Sequence, residues 1–295
     1  MKAFEIKKIL IPVDFSETSM LAFDHGVSMA KVFKADLLLV HVIEVNYLHH
    51  NVFFPEAKMV NKDNIVRMAE DKINELANDI QKNRGIKSEV AVLTGKISRE
   101  IAALAKTSKT DLIVMGTHGV SGIEEFFVGS NAARVVMESE CPVITIQAHA
   151  KRIGIKRIVL PIDNSLASRQ KLHHAVVMAE HFNSEIYIAG LLTEDEPEHT
   201  KLFNLKIEQA KEFITRHNIP CFTKILKGTN LAKLIIDYTD EVDADLTIIM
   251  TEQELDSTGL FMGPIAQQIV NHSKTPVMSI RPEGLNVGSF KNNPV

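Results

Sequence analysis

Apolar residues along this chain come in short, near-continuous runs, separated by longer stretches where they recur every three or four positions. In the first half the runs are "ILIPV" (9–13), "LLLVHV" (37–42), "EVAVL" (89–93), "LIVMG" (112–116) and "VITI" (143–146). Runs of this length, rich in Val and Ile, predict strands buried on both faces, as in a parallel sheet. Residues 17–34, 61–84, 97–108 and 129–139 carry helical spacing and are predicted as helices. "SETS" (16–19) supplies Ser16 as the N-cap of the first, with the helix beginning near Glu17. Five strands alternating with helices predict an open, doubly wound parallel sheet covered on both faces.

The pattern then returns. "KKILIPVDFS" (7–16) reappears as "KRIVLPIDNS" (156–165), and "ADLLLVHV" (35–42) as "SEIYIAGL" (184–191). "GIKSEVAVLTG" (85–95) matches "NIPCFTKILKG" (218–228), "TDLIVMG" (110–116) matches "ADLTIIM" (244–250), and "CPVITI" (141–146) matches "TPVMSI" (275–280). Shared strand composition explains one or two such matches; five in the same order indicate duplication. The expected domains are 1–148 and 155–282, joined by the polar segment 148–156, with a frayed tail at 283–295. "VITI" and "VMSI" are the equivalent last strands, and they are expected to pair antiparallel across a pseudo-two-fold axis. Residues 43–62 have only the short "LTEDEPEHTK" opposite them. There Tyr47, Phe53 and Phe54 either form a lid or pack on the sheet's end.

Composition narrows the function classes. The chain has 295 residues, 45% apolar and 24% charged, with a net charge of −4. That is a globular composition with no basic bias toward nucleic acid or anionic membrane. No apolar run reaches membrane-spanning length and the start lacks a signal-peptide core, so the cytoplasm is the expected location. Cys141 and Cys221 form neither metal spacing nor a disulfide framework. The adjacent pairs His49–His50 and His173–His174 lack chelating geometry on a strand or helix. No nucleophile elbow and no Walker loop occurs.

Chemistry is concentrated in "VMGTHGVSGIEEFFVGSNAARVV" (114–136). Gly116 ends a strand at the edge where open α/β sheets bind ligands, Gly119 follows in the loop, and Gly129 with Ser130 opens a helix. Glycines permit positive φ and close approach to bare backbone, while the helix start offers free N–H groups and the positive end of its dipole. Such a turn holds a phosphate or simply turns the chain.

The spacing Gly-x2-Gly-x9-Gly-Ser, with "IPVDFS" at the first strand's end and "CPVITI" closing the unit, resembles the ATP-binding class of the universal stress protein family. The resemblance covers nearly the whole chain as two tandem copies. It implies two tandem, open, parallel five-stranded sheets, Rossmann-like with strand order 3-2-1-4-5 and helices on both faces. It further implies that Pro12 and Asp14 border an adenosine, with Asp14 reaching the ribose. The backbone of Val42 would meet the adenine edge and Met115 would line the base pocket. Gly116, Gly119, Gly129, Ser130 and Asn131 would surround the phosphates. The ligand so implied is ATP, or ADP or AMP. Where many relatives carry a basic residue just after the second glycine, this chain has Val120. Glu124 and Glu125 add negative charge, as solvated carboxylates or as partners of Mg²⁺. His118 is either a phosphate donor or a solvent-facing side chain.

In the second half Gly116 becomes Met250, Gly119 becomes Gln253 and Ser130 becomes Pro264; Gly129 keeps Gly263 and Asp14 keeps Asp163. The cradle is lost, and that half is expected to hold no nucleotide. The sequence thus reads as a nucleotide-dependent stress sensor or signalling module with at most slow ATP hydrolysis. Alternatives are an interaction module of the same fold that binds no nucleotide, and a nucleotidyl transferase, disfavoured by "IPVDFSETS" at the first strand. A homodimer of the whole chain and an unidentified protein partner are compatible with this reading.

Overall fold

The structure, a computed structural model, describes residues 4–44, 62–117, 129–148, 150, 153–165, 167–193, 197–251, 253–256 and 259–282. The first copy runs β1 (Lys8–Pro12), α1 (Glu17–Phe33), β2 (Asp36–Glu44), α2 (Lys62–Arg84), β3 (Ser88–Gly95), α3 (Ile97–Thr107), β4 (Leu112–Gly116), α4 (Ser130–Glu138) and β5 (Val143–Ile146). The second runs β6 (Arg157–Ile162), a 3-10 turn at Ala167–Arg169, α5 (Leu172–Phe182), β7 (Glu185–Leu192), α6 (Pro197–Thr215), β8 (Cys221–Lys227), α7 (Leu231–Glu241), β9 (Leu246–Met250), β10 (Gln253–Asp256), β11 (Gly259–Met262), α8 (Pro264–His272) and β12 (Val277–Ile280). The hydrophobic runs and helical stretches of the first copy thus become the expected elements, shifted by one or two residues at their ends.

Among the described residues, ten strands form one sheet in the order β3-β2-β1-β4-β5-β12-β9-β6-β7-β8. Each copy contributes five parallel strands in the order 3-2-1-4-5. The crossovers from β1 to β3 step one way across the sheet and those from β3 to β5 step back. Right-handed connections therefore place their helices on opposite faces. One face is filled by α1, α2, α5 and α6 through residues such as Ala22, Ile73, Ala175 and Phe203. The other holds α3, α4, α7 and α8 through Ile101, Val135, Ile235 and Ile269. Alternation along each strand feeds both layers, which is why the strands read as continuous apolar runs: Ile9 and Ile11 face one layer and Leu10 the other.

The two copies meet at β5 and β12, which pair antiparallel with Thr145 opposite Val277, Ile144 opposite Met278 and Val143 opposite Ser279. The pairing expected from the repeats is present. Gln147 strengthens it, its Nε2 donating to the carbonyls of Val270 at 2.7 Å and Asn271 at 3.2 Å. Phe33 and Phe182, equivalent residues of the two copies, meet edge-on with ring centroids 5.8 Å apart.

Two features differ from the sequence reading. The joining segment is anchored: Ala150 and Ile155 are buried in the core, and Ser184 Oγ donates to the Ile155 carbonyl at 2.7 Å. The second copy also carries an antiparallel hairpin, β10 with β11, between β9 and α8. Its β11 strand lies against α4 of the first copy. Calls on residues 45–61, on His118, Gly119, Val120, Glu124 and Glu125, and on the tail from 283 fall outside the described residues.

Candidate functional site

The strand order reverses between β1 and β4, and the carboxyl ends of β2, β1 and β4 lie side by side there. Pro12 closes β1, Val42 lies near the end of β2, and Met115 and Gly116 end β4. Leu10, Val40 and Met115 belong to the core layer beneath α3 and α4, and Val42 packs against the same layer. By strand alternation Pro12 follows Leu10 onto that face. The three residues assigned to a base are thus gathered at one sheet edge, on one face. Gly129, Ser130 and Asn131 lie at the start of α4, with Ser130 exposed. Gly119, the remaining residue of the proposed set, lies outside the described residues.

Local hydrogen bonds explain how α4 is brought to this edge. Thr117 continues β4 by donating its N–H to the Ile146 carbonyl at 2.9 Å. The chain returns at Gly129, whose N–H donates to the Thr117 carbonyl at 2.7 Å. No side chain caps α4, so its first-turn N–H groups have no capping acceptor of that kind.

The glycines act by close approach, not by positive φ. Gly129 has φ −54° and ψ 142°, a conformation open to any residue, and Gly116 is not in the left-handed region either. A Cβ on Gly129 would lie 2.9 Å from the Thr117 oxygen, and one on Gly116 would lie 3.0 Å from Thr18 backbone atoms. In the second copy the position of Thr18 is Ala167, in a 3-10 turn, and Met250 occupies the Gly116 position, 9% exposed. The earlier start of α1 is therefore what excludes a side chain at Gly116.

Asp14 has a structural task. Its Oδ1 accepts from Ser16 N–H at 3.0 Å and Ser16 Oγ at 2.6 Å, while Ser16 Oγ accepts from Ser19 N–H at 3.2 Å. Ser16 is the N-cap of α1, as the sequence indicated. Asp163 makes the same turn, accepting from Ser165 N–H at 2.9 Å and Ser165 Oγ at 2.6 Å. The aspartate persists in the second copy because the turn persists.

Sequence reasoning missed Phe15. Its φ of 66° is left-handed, which is costly for an aromatic residue. Its ring is held between Lys72, whose Nζ lies 4.3 Å from the centroid, and His41, at 5.4 Å. His41 Nδ1 donates to the Val13 carbonyl at 2.7 Å, which ties the end of β2 to the loop after β1. Asn164 replaces Phe15 in the second copy, and Lys206 donates to its carbonyl at 2.9 Å. A lysine at the rim is common to both copies and could not be read from either loop.

A doubly wound α/β protein built of two copies that share one sheet, with a switch point in each, is the class these features define. The profile described as "Universal stress protein family" matches residues 5–147 and 154–281. The chain belongs to the universal stress protein family, in two consecutive copies. It is 32% identical over 148 residues to universal stress protein MJ0531 of Methanocaldococcus jannaschii, covering 49% of this chain and 84% of that protein. It is 32% identical over 145 residues to universal stress protein YxiE of Bacillus subtilis, covering 48% and 98%. In fold it is similar to a universal stress protein from Archaeoglobus fulgidus, with TM-score 0.74, 20% identity and coverage of 95% and 99%. Among the described residues no helix is long and apolar enough to cross a membrane.

Proposed function

We propose that the first copy binds an adenine nucleotide, ATP foremost, and that the protein acts in stress response as a nucleotide-dependent sensor or signalling module. The observation that carries this reading is the gathering of Pro12, Val42 and Met115 on one face at the switch point, beside an N-terminus of α4 that has no side-chain cap bond. Asp14 keeps a second carboxylate oxygen beyond the one used in its turn, suited to a ribose hydroxyl. Ser130 adds an exposed hydroxyl at the helix start. The cytoplasm is the location that fits this role. Among the described residues no group is placed as a general base, and binding rather than turnover is the activity proposed.

A second reading has its own support: an interaction module that takes no nucleotide. Gly116, Gly129 and Asp14 each have a packing or turn role that needs no ligand. Denaturing the purified protein and weighing any released small molecule separates the two, followed by calorimetric titration with ATP. About one nucleotide per chain supports the first reading. No release and no heat of binding at millimolar ATP supports the second.

A further inference from the structure

We infer that Lys96 and Arg134 supply the positive charge for the polyphosphate tail of the ligand, from a cleft between the N-termini of α3 and α4; this rests on the nucleotide reading above. A triphosphate carries several negative charges, and the residues assigned to it so far carry none of the opposite sign. Residues 117–128 contain no Lys or Arg and two Glu. Pro12, Asp14, Val42, Met115, Gly116, Gly129, Ser130 and Asn131 add no cation. Helix dipole and N–H groups alone leave most of that charge uncompensated.

The second copy shows where the missing charge sits. Between the N-termini of α7 and α8 lies a cleft of about 270 Å³ lined by Thr229, Asn230, Leu231, Pro264, Ile265 and Gln268. Aligned by their helix starts, these positions are Gly95, Lys96, Ile97, Ser130, Asn131 and Arg134 in the first copy. The lining is neutral in the second copy, and two of the corresponding positions in the first copy are cations. Lys96 is the N-cap residue of α3, exposed, and makes no side-chain cap bond. Arg134 is exposed one turn into α4, and helical side chains lean toward the N-terminus, over the first turn where Ser130 lies. Neither has a carboxylate partner among the described residues. Glu100 lies against Gly95 at the same end of α3, so two cations face one carboxylate.

A second observation is independent of charge. Ala232 also lines the cleft of the second copy, and its counterpart is Ser98. Ser98 is fully buried, and its Oγ has no hydrogen-bond partner among the described residues. A buried hydroxyl without a partner is costly where a methyl group suffices in the other copy. Ser98 therefore makes the α3 side of the cleft polar where Ala232 makes it apolar in the other copy.

The test compares ATP with adenosine, in calorimetric titrations of the full chain and of Lys96→Ala, Arg134→Ala and the double variant. Exposed side chains are removed, so the fold is retained, and circular dichroism checks it. The double variant should lose about tenfold or more in ATP affinity while adenosine binding holds within twofold. Lys96→Arg with Arg134→Lys should restore most of the ATP affinity. Lys106→Ala, at the far end of α3, should leave both ligands unchanged. Unchanged ATP affinity in the double variant, an equal loss for adenosine, or the same loss from Lys106→Ala would each overturn the assignment while leaving the nucleotide reading intact. A parent chain that binds neither ligand would overturn both.

Discussion

Asp14 and Asp163 make the same turn, yet only one lies beside residues suited to a nucleotide. Removing either carboxylate deletes two hydrogen bonds in the turn that leads into α1 in the first copy and into the 3-10 turn in the second, at a stability cost of about 1–2 kcal/mol. Asp14→Ala and Asp163→Ala should therefore shift chemical denaturation midpoints alike, whereas only Asp14→Ala should weaken ATP in a titration. Equal loss of ATP affinity from both variants would contradict the one-copy reading. Gly129 is a poorer probe, because any side chain there meets the Thr117 oxygen and disturbs the closure that positions α4. Ser130→Ala isolates the ligand contact, with an expected loss of about 0.5–1.5 kcal/mol in binding. Histidines set the acid limit. His25 and His174 occupy equivalent positions, and burial lowers the pKa of both, His174 to about 4. A depressed histidine pKa means that the unfolded chain takes up the proton first. The stability contribution is therefore complete above about pH 6.5 and is lost as pH falls toward 4, on the order of 3 kcal/mol for His174. Urea denaturation between pH 7 and 4.5 should show a smaller decline for His174→Gln than for the parent. Parallel slopes would mean that His174 does not titrate as its burial requires.

The β10–β11 hairpin marks where element-level reading of the sequence succeeds and where it stops. Strands such as "LIVMG" and "VITI" and the cap at Ser16 were legible because burial on two faces and local hydrogen bonding are written in consecutive residues. The repeats also announced the antiparallel junction, since an apolar last strand needs a partner. "QELDSTGLFM" was legible only as a loop that had lost two glycines, because its pairing depends on support from elsewhere. Its β11 strand rests on α4 of the other copy, and Met262 joins the core layer that includes Ala132 and Val135. Lys96, Arg134 and Ser98 were illegible for a related reason. Lys96 and Ser98 lie outside the glycine signature, on a helix start that only the fold brings beside it, and Arg134 lies one turn beyond the signature's last residue on α4. These facts revise the obvious gain-of-function design. Met250→Gly, Gln253→Gly and Pro264→Ser restore residue types but leave the hairpin paired, and the cleft beside them neutral. Titration of that triple variant should still give one ATP per chain. Adding Asn230→Lys and Gln268→Arg, together with replacement of residues 250–263 by the sequence of 116–129, should raise it toward two. A stoichiometry of two from the triple variant alone would show that the hairpin is no obstacle.

The molecule as a whole is organised about the β5–β12 ladder. Ile144 pairs with Met278, its own counterpart in the repeat, so the pseudo-two-fold axis passes through that pair. Val143, Ile144, Thr145 and Ile146 are all at most 1% exposed. A first copy without the second would present this strand as an open apolar edge, which natural sheets avoid by pairing or covering. The register already supplies a solution, because a strand that pairs with its counterpart about a two-fold axis is self-complementary in kind. Residues 1–148 alone should therefore form a dimer in which Ile144 of one fragment faces Ile144 of the other, and Gln147 reaches the end of the opposing last helix as it now reaches Val270 and Asn271. Sedimentation equilibrium of that fragment should return twice the fragment mass, and Ile144→Asp should abolish the dimer, since it puts two carboxylates together on the axis. The same fragment should bind two ATP per dimer if each first copy holds its own nucleotide. A folded monomer with full ATP affinity would show that the second copy is dispensable both as a cover for β5 and as a support for α4.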